Sequence, residues 1–400
     1  MTHRIRQFFI FILILVGLAL IGWWFIGPTW RLFLSNPPTK TDVLFWEQSQ
    51  RDSGFALSDQ IPFVKTVPIE PGSRPRALDI GDPLVTDYDI SAFMERQNSA
   101  SIVILHKGAV RFEAYGLNQA ADKRWTSFSV AKAMTSTLLG IAIAEGHIES
   151  LSDPVSQYIE ELRGSSYDDV TIHQLLTMTS GVAWTEDYDD PASDVALFND
   201  AEGEGDTPAI VTYLKDLPRA HEPGTIFNYS TGETNLVGIL IEAAVGVALN
   251  TYLSDKIWEP YGMAGYASWV ISDSGEPISG CCIQATARDF ARFGQFILDG
   301  ARLDGASVLP DDWLSEATRT QIRTDRNQTF DYGYQWWTRD DGSFAAFGAF
   351  GQSIFIDPNR DLVIATNASW RDARGKIADQ RADRDLFFEA IQASIDAEDG

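Results

Sequence analysis

The 400-residue chain reads as an α/β protein of the α+β kind, with strands at its two ends, a mainly helical middle and an apolar helix at its N-terminus. Ser101-Ile102-Val103-Ile104-Leu105-His106 and Val110-Arg111-Phe112-Glu113-Ala114-Tyr115 flank Lys107-Gly108, which predicts an antiparallel hairpin. Strand-like runs return near the end, over Tyr332–Thr338, Ser353–Asp357 and Leu362–Thr366, and a C-terminal helix is expected around Asp379–Ala397. Between them, roughly residues 129 to 300 carry helical periodicity and loops.

Three parts are expected along the chain. Residues 1–34 hold a signal anchor: Phe8 to Ile26 is uncharged and apolar, and Gly27-Pro28 closes it. At about 1.5 Å of rise per residue the run is long enough for roughly 30 Å of hydrocarbon. Arg4 and Arg6 precede it, so the positive-inside rule predicts a single-pass protein of the inner (cell) membrane, with the remainder in the periplasm or outside the cell. Residues 8–26 would meet the lipid bilayer, with Trp23, Trp24 and Trp30 at its outer interface. Residues 35–85, rich in Pro, Asp and Ser, read as a linker and extended lead-in that wraps or spaces the body. Residues 86–400 read as one catalytic domain, with its helical part at roughly 150–300, and 44% apolar content suits a large core. A formal charge of −25 argues against nucleic acid or an anionic membrane surface as a partner. The only cysteines, Cys281 and Cys282, are adjacent, which excludes a disulfide framework; two buried thiols are expected rather than a vicinal disulfide.

Chemistry concentrates in Trp125-Thr126-Ser127-Phe128-Ser129-Val130-Ala131-Lys132. Positions i and i+3 share a helix face, so Lys132 can reach the Ser129 hydroxyl. Ala133 to Ala144 reads as an apolar helix stopped by Gly146, which puts Ser129 at a helix N-terminus, where unpaired N–H groups suit a developing oxyanion. A lysine among Val130, Ala131, Ala133 and Met134 would be buried, and a buried lysine with a depressed pKa is a usable base. A serine there also suits a helix N-cap, so this run alone does not settle the chemistry.

Over roughly residues 85 to 395 the sequence resembles the serine β-lactamase and penicillin-binding-protein superfamily, in its esterase and 6-aminohexanoate-dimer-hydrolase-like branch. S-x-x-K matches Ser129 and Lys132, Val170 to Val182 is similar to the family's following helix and loop, and His221 to Leu236 resembles the region that presents a catalytic tyrosine, here Tyr229. The resemblance implies one antiparallel sheet shared by N- and C-terminal strands, with the site between sheet and helices. It further implies an oxyanion hole from the backbone N–H groups of Ser129 and Ala349, with Gly348 letting backbone approach substrate and Phe347 beside it. Tyr188, in Gly181 to Asp194, is similar to a second tyrosine over the site, and Asp187, Asp189 and Asp190 in the same loop could attract an ammonium group. The chain departs from the pattern at Ala346-Phe347, where relatives carry a cation and a hydroxyl, and at Thr231, where many carry Asn. Without that cation, β-lactams and D-Ala-D-Ala peptides fit poorly.

The expected function is a serine hydrolase that forms an acyl-enzyme on Ser129 and cleaves small carboxylic esters or linear amides, using no metal and no organic cofactor. Either Lys132 or Tyr229 could serve as base. A β-lactamase or D-amino-acid peptidase acting on cell-wall-type substrates, and a non-catalytic penicillin-type binding or sensor module, are the competing readings. Histidines occur at 3, 106, 147, 173 and 221, with neither H-E-x-x-H nor G-x-S-x-G, so zinc-protease and α/β-hydrolase signatures are missing.

Overall fold

The computed structural model describes residues 2–39, 42–324 and 329–399. Helix α1, Thr2–Phe25, is followed by α2, Gly27–Ser35. The stretch Arg4–Phe25 is long and apolar enough to cross a membrane, and Phe8 to Leu15, Leu18 and Trp23 to Phe25 are exposed along it. Pro28 sits in the first turn of α2, where its missing N–H costs nothing.

Part of the segment expected to be a linker is folded onto the body. Asn36 donates to Glu47 and Ser49, at 3.0 and 2.9 Å, at the start of α3, Gln48–Leu57. Glu47 and Gln50 cap α3 reciprocally, and Phe55, Ala56 and Leu57 are buried in it. Phe33 of α2 is buried in a small cluster with Trp46, Leu57 and Ile61, so α2 is docked rather than loose. Trp46 and Phe55, both buried, hold this stretch against the body.

The large sheet has eight strands. Its labelled members are β2 Asp79–Ile80, β3 Ser99–His106, β4 Ala109–Tyr115, β10 Asp331–Tyr332, β11 Trp337–Thr338, β12 Phe344–Gly348, β13 Gln352–Asp357 and β14 Leu362–Ala368. They lie in the order β10-β11-β12-β13-β14-β3-β4-β2, so the hairpin β3–β4 sits beside the last strand of the chain. All pairs are antiparallel except β2–β4. Tyr332–Thr338, expected as one strand, is a hairpin with Tyr332 opposite Trp337. Its turn is fixed because Gln335, at φ 64°, donates to Leu175 O and accepts from Thr234.

A second sheet was not anticipated. Strands β1 Thr66–Ile69, β5 Arg124–Thr126, β6 Ala267–Val270 and β7 Ile283–Thr286 pair in the order β1-β6-β7-β5. The remaining pair, β8 Arg302–Leu303 and β9 Ala306–Ser307, is a small hairpin. The frame is completed by α4 Ile90–Gln97, α5 Ala131–Ala144, α6 Thr231–Val245, α7 Ala287–Leu298 and α8 Gln380–Asp399. One face of the large sheet buries Val103, Leu105, Ile354 and Val363 against α5 and α7. The other buries Ile102, Ile104, Phe355 and Ile364 under Phe93 of α4 and Phe387 and Phe388 of α8. This is the two-sided consequence of strand alternation in a sheet covered on both faces.

Candidate active site

Ser129 lies in a 3-10 turn, Phe128–Val130, that runs into α5. α5 ends at Ala144 with Gly146 at φ 77°, the left-handed stop that the sequence suggests. Ser129 is partly exposed, while Lys132, one turn on, is 1% exposed. Phe128 holds φ 44°, a left-handed conformation that costs a non-glycine residue about 1–3 kcal/mol. Packing and hydrogen bonds over-determine it: its ring meets Phe55 at 5.0 Å and Phe350 at 5.4 Å, and its carbonyl accepts from the Ser127 hydroxyl and the Cys282 amide.

The lysine is held by three oxygens. Nζ is 2.7 Å from Gly280 O, 3.0 Å from Thr231 Oγ1 and 3.3 Å from Ser129 Oγ. Gly280 must be glycine, because a Cβ there would meet Thr231 O at 2.8 Å and Nζ itself at 3.2 Å. Thr231 donates its hydroxyl to the Glu186 carboxylate and therefore accepts from Lys132. Burial lowers the Lys132 pKa to about 8, against the opposing pull of the Glu186 charge. A neutral amine has two N–H groups. Gly280 O and Thr231 Oγ1 take both, which leaves the nitrogen lone pair for the proton of Ser129.

Tyr229 completes the group. Its ring lies beside the amine, with Lys132 Nζ 5.2 Å from the ring centroid, and the Ser129 hydroxyl is close enough to act on the phenol. The ring stacks on Trp337 at 5.7 Å and meets Tyr332 edge-on at 6.1 Å. Burial, with the Glu186 charge adding, pushes the phenol far above its ordinary range, so it stays protonated at neutral pH.

A cavity of about 380 Å³ opens beside Ser129, and Tyr188, Thr231 and Ala349 line it too. The Tyr188 hydroxyl donates to Glu186 at 2.9 Å. Ala349 follows the end of β12, where Gly348 opposes Gln352. At Gly348 a Cβ would lie 2.4 Å from Ser127 O, so the strand end packs on the turn that carries Ser129. Phe347 is not among the cavity-lining residues. Strand alternation turns it to the other face, where it stacks on Phe388 at 6.4 Å under the Arg384 guanidinium, 3.7 Å from its centroid. Arg384 is itself buried and paired with Asp385 at 2.7 Å.

Two further groups lie near the cavity. Asp187, Asp189 and Asp190 are exposed, and it is Glu186, in the same loop, that reaches the lysine network. No separate signal in the sequence distinguishes it from those three carboxylates. Cys281 and Cys282, expected as buried thiols, are joined to each other and only partly buried, lining the same cavity. The turn that places Gly280 against Lys132 also brings the two sulfurs side by side.

The split sheet, the helical middle and a serine-lysine pair at the head of α5 define a serine hydrolase of the S-x-x-K class. Residues 87–386 match the β-lactamase family, and the chain belongs to that family. The 6-aminohexanoate-dimer hydrolase of Paenarthrobacter ureafaciens is 29% identical over 320 residues, covering 76% of this chain and 80% of that protein. A solved structure from Bacillus anthracis that carries the same hydrolase name aligns with a TM-score of 0.76 at 21% identity, over 90% of this chain and 98% of the other. A family VIII carboxylesterase aligns at 0.58 and 17%, over 71% and 91%. These two likenesses show the fold.

Proposed function

We propose that the protein is a membrane-anchored hydrolase of small carboxylic esters or linear amides that works through an acyl-enzyme on Ser129. Its catalytic body would face the periplasm or the exterior, with α1 in the bilayer. The observation that carries the reading is the hydrogen-bond arrangement of Lys132, whose N–H groups are both engaged away from Ser129. Lys132, not the protonated Tyr229, is then the base.

In the reaction, Lys132 takes the Ser129 proton as Oγ bonds to the substrate carbonyl carbon. The oxyanion is met by the backbone N–H groups of Ser129 and Ala349. Collapse breaks the bond to the leaving alcohol or amine, which receives a proton from Tyr229 while Lys132 reprotonates the phenol. Water then attacks the acyl group, giving its proton to Lys132; the Oγ–carbon bond breaks and the proton returns to Ser129. The dimer-hydrolase and carboxylesterase relatives support linear amides and esters as the substrate class. The apolar Ala346-Phe347 pair, where penicillin-recognising relatives carry a cation and a hydroxyl, supports leaving penicillin-type carboxylates aside.

The test uses p-nitrophenyl butyrate and a linear aminohexanoate dimer, with full-length protein and folded Ser129→Ala, Lys132→Ala and Tyr229→Phe variants. Turnover should fall at least about a hundredfold in Ser129→Ala, and acid-quenched wild type should carry the acyl mass on the Ser129 peptide. Unchanged turnover in Ser129→Ala refutes the assignment.

A further inference from the structure

Resting on the reading above, we propose that residues 42–65, ahead of β1, form the acyl-chain wall of the cleft. The site then takes amphiphilic esters or amides with a linear aliphatic chain, reaching it from the bilayer that holds α1. Val43, Trp46 and Val64 line the cavity beside Ser129, and the same three side chains pack in the cluster that buries Phe33 of α2. A wall one side chain thick therefore separates the cleft from the helix that continues directly out of the apolar α1. That helix is fixed to the body, through Asn36 on Glu47 and Ser49 and Gln50 on Pro37 O at 3.3 Å, so the cleft stays close to the anchor.

The chemistry of the wall agrees. Phe198, Ile210 and Ile278 line the same space as Val43 and Val64, while Asp42, Asp200, Glu276 and the paired Lys65 and Asp273 supply the charged part of the lining. The apolar part of this lining offers an alkyl chain burial. Phe63, also on the lining, is 45% exposed, an apolar residue left at the mouth where a chain would enter. On α2 itself Leu32 and Leu34 are exposed beyond Trp24 and Phe25, which suits a helix lying at a lipid interface.

Full-length protein reconstituted in phosphatidylcholine vesicles is assayed with p-nitrophenyl butyrate, octanoate and decanoate, each added dispersed and each pre-loaded into the same vesicles. We expect kcat/KM to rise at least tenfold from butyrate to decanoate, each buried methylene contributing about three- to fourfold until the cleft is filled. We expect Phe63→Asp to cut the decanoate-to-butyrate ratio at least tenfold, and pre-loaded decanoate to be cleaved faster than the dispersed form. A flat chain-length series, or an unaltered ratio in Phe63→Asp, overturns the acyl wall, and equal rates for both presentations overturn delivery from the bilayer. Butyrate turnover that depends on Ser129 would survive those failures, whereas loss of all ester and amide turnover would sink the hydrolase reading beneath them.

Discussion

Replacing Glu186 with Gln should move the pH dependence of catalysis. Glutamine keeps an oxygen for the Thr231 hydroxyl but removes the charge that favours the ammonium form of Lys132. Thr231 Oγ1 bridges the two groups, 3.0 Å from Nζ, so the charges are roughly 5 Å apart. At an effective dielectric near 20, two unit charges at about 5 Å interact by about 3 kcal/mol, or about 2 pH units. Glu186 is only partly buried, so solvent screening reduces this to about 1 unit. The wild-type acid limb of kcat/KM on p-nitrophenyl butyrate should titrate near pH 8, where burial sets the Lys132 pKa. In Glu186→Gln it should titrate about one unit lower, raising the fraction of neutral amine at pH 7 from about a tenth to about a half. Thr231→Val is the companion variant. It should lower the plateau about ten- to a hundredfold, because one N–H of Lys132 loses its acceptor and the lone pair its direction. An acid limb in Glu186→Gln that stays put, or moves upward, refutes Lys132 as the base tuned by this carboxylate.

Gly348→Ala should lower kcat at least tenfold with a smaller effect on KM, since its Cβ would press on Ser127 O at 2.4 Å and part the two turns that carry the Ser129 and Ala349 amides; steady-state kinetics checks it. Glu233 is buried and its carboxyl pKa is raised to about 8, chiefly by burial, against about 4.5 in the unfolded chain. Its folded state holds a proton that the unfolded state releases, so its contribution is full below about pH 4.5 and fades up to about pH 8, by about 1.4 kcal/mol per unit. Glu233→Gln should therefore gain stability relative to wild type as pH rises from 5 to 8, which urea unfolding at several pH values measures. Asp289 accepts from Arg292, Thr286 and the amides of Ala264 and Gly265 while fully buried. Asp289→Ala should cost about 3–5 kcal/mol, read from denaturant midpoints, because it strands the Arg292 charge.

What could be read beforehand followed from short-range periodicity. Ser129 and Lys132 are one helical turn apart, the β3–β4 hairpin closes over two residues, and Gly146 stops α5; each is a local pattern. The second sheet was illegible because its strands are three or four residues long and pair across great separations, Thr66 with Val270 for example. Phe347 was misplaced by a single step of strand alternation: Ala346 joins one core face and Phe347 the other. The Glu186 network needed the fold, since nothing local marks one carboxylate of an acidic loop as the one that meets a threonine forty-five residues on.

Phe55 belongs to α3, yet its ring lies 5.0 Å from Phe128 and 5.3 Å from Phe350, the two residues whose left-handed backbones shape the turns before Ser129 and after Ala349. Phe350 holds φ 60° as Phe128 holds 44°. A stretch of chain outside residues 87–386 thus serves as keystone for both turns. Exchange of catalytic bodies between relatives, whether by recombination or by engineering, would have to carry residues near 46–57 along with the body. A chimera joined at residue 87 would keep every reacting group and lose the ring on which their two turns close.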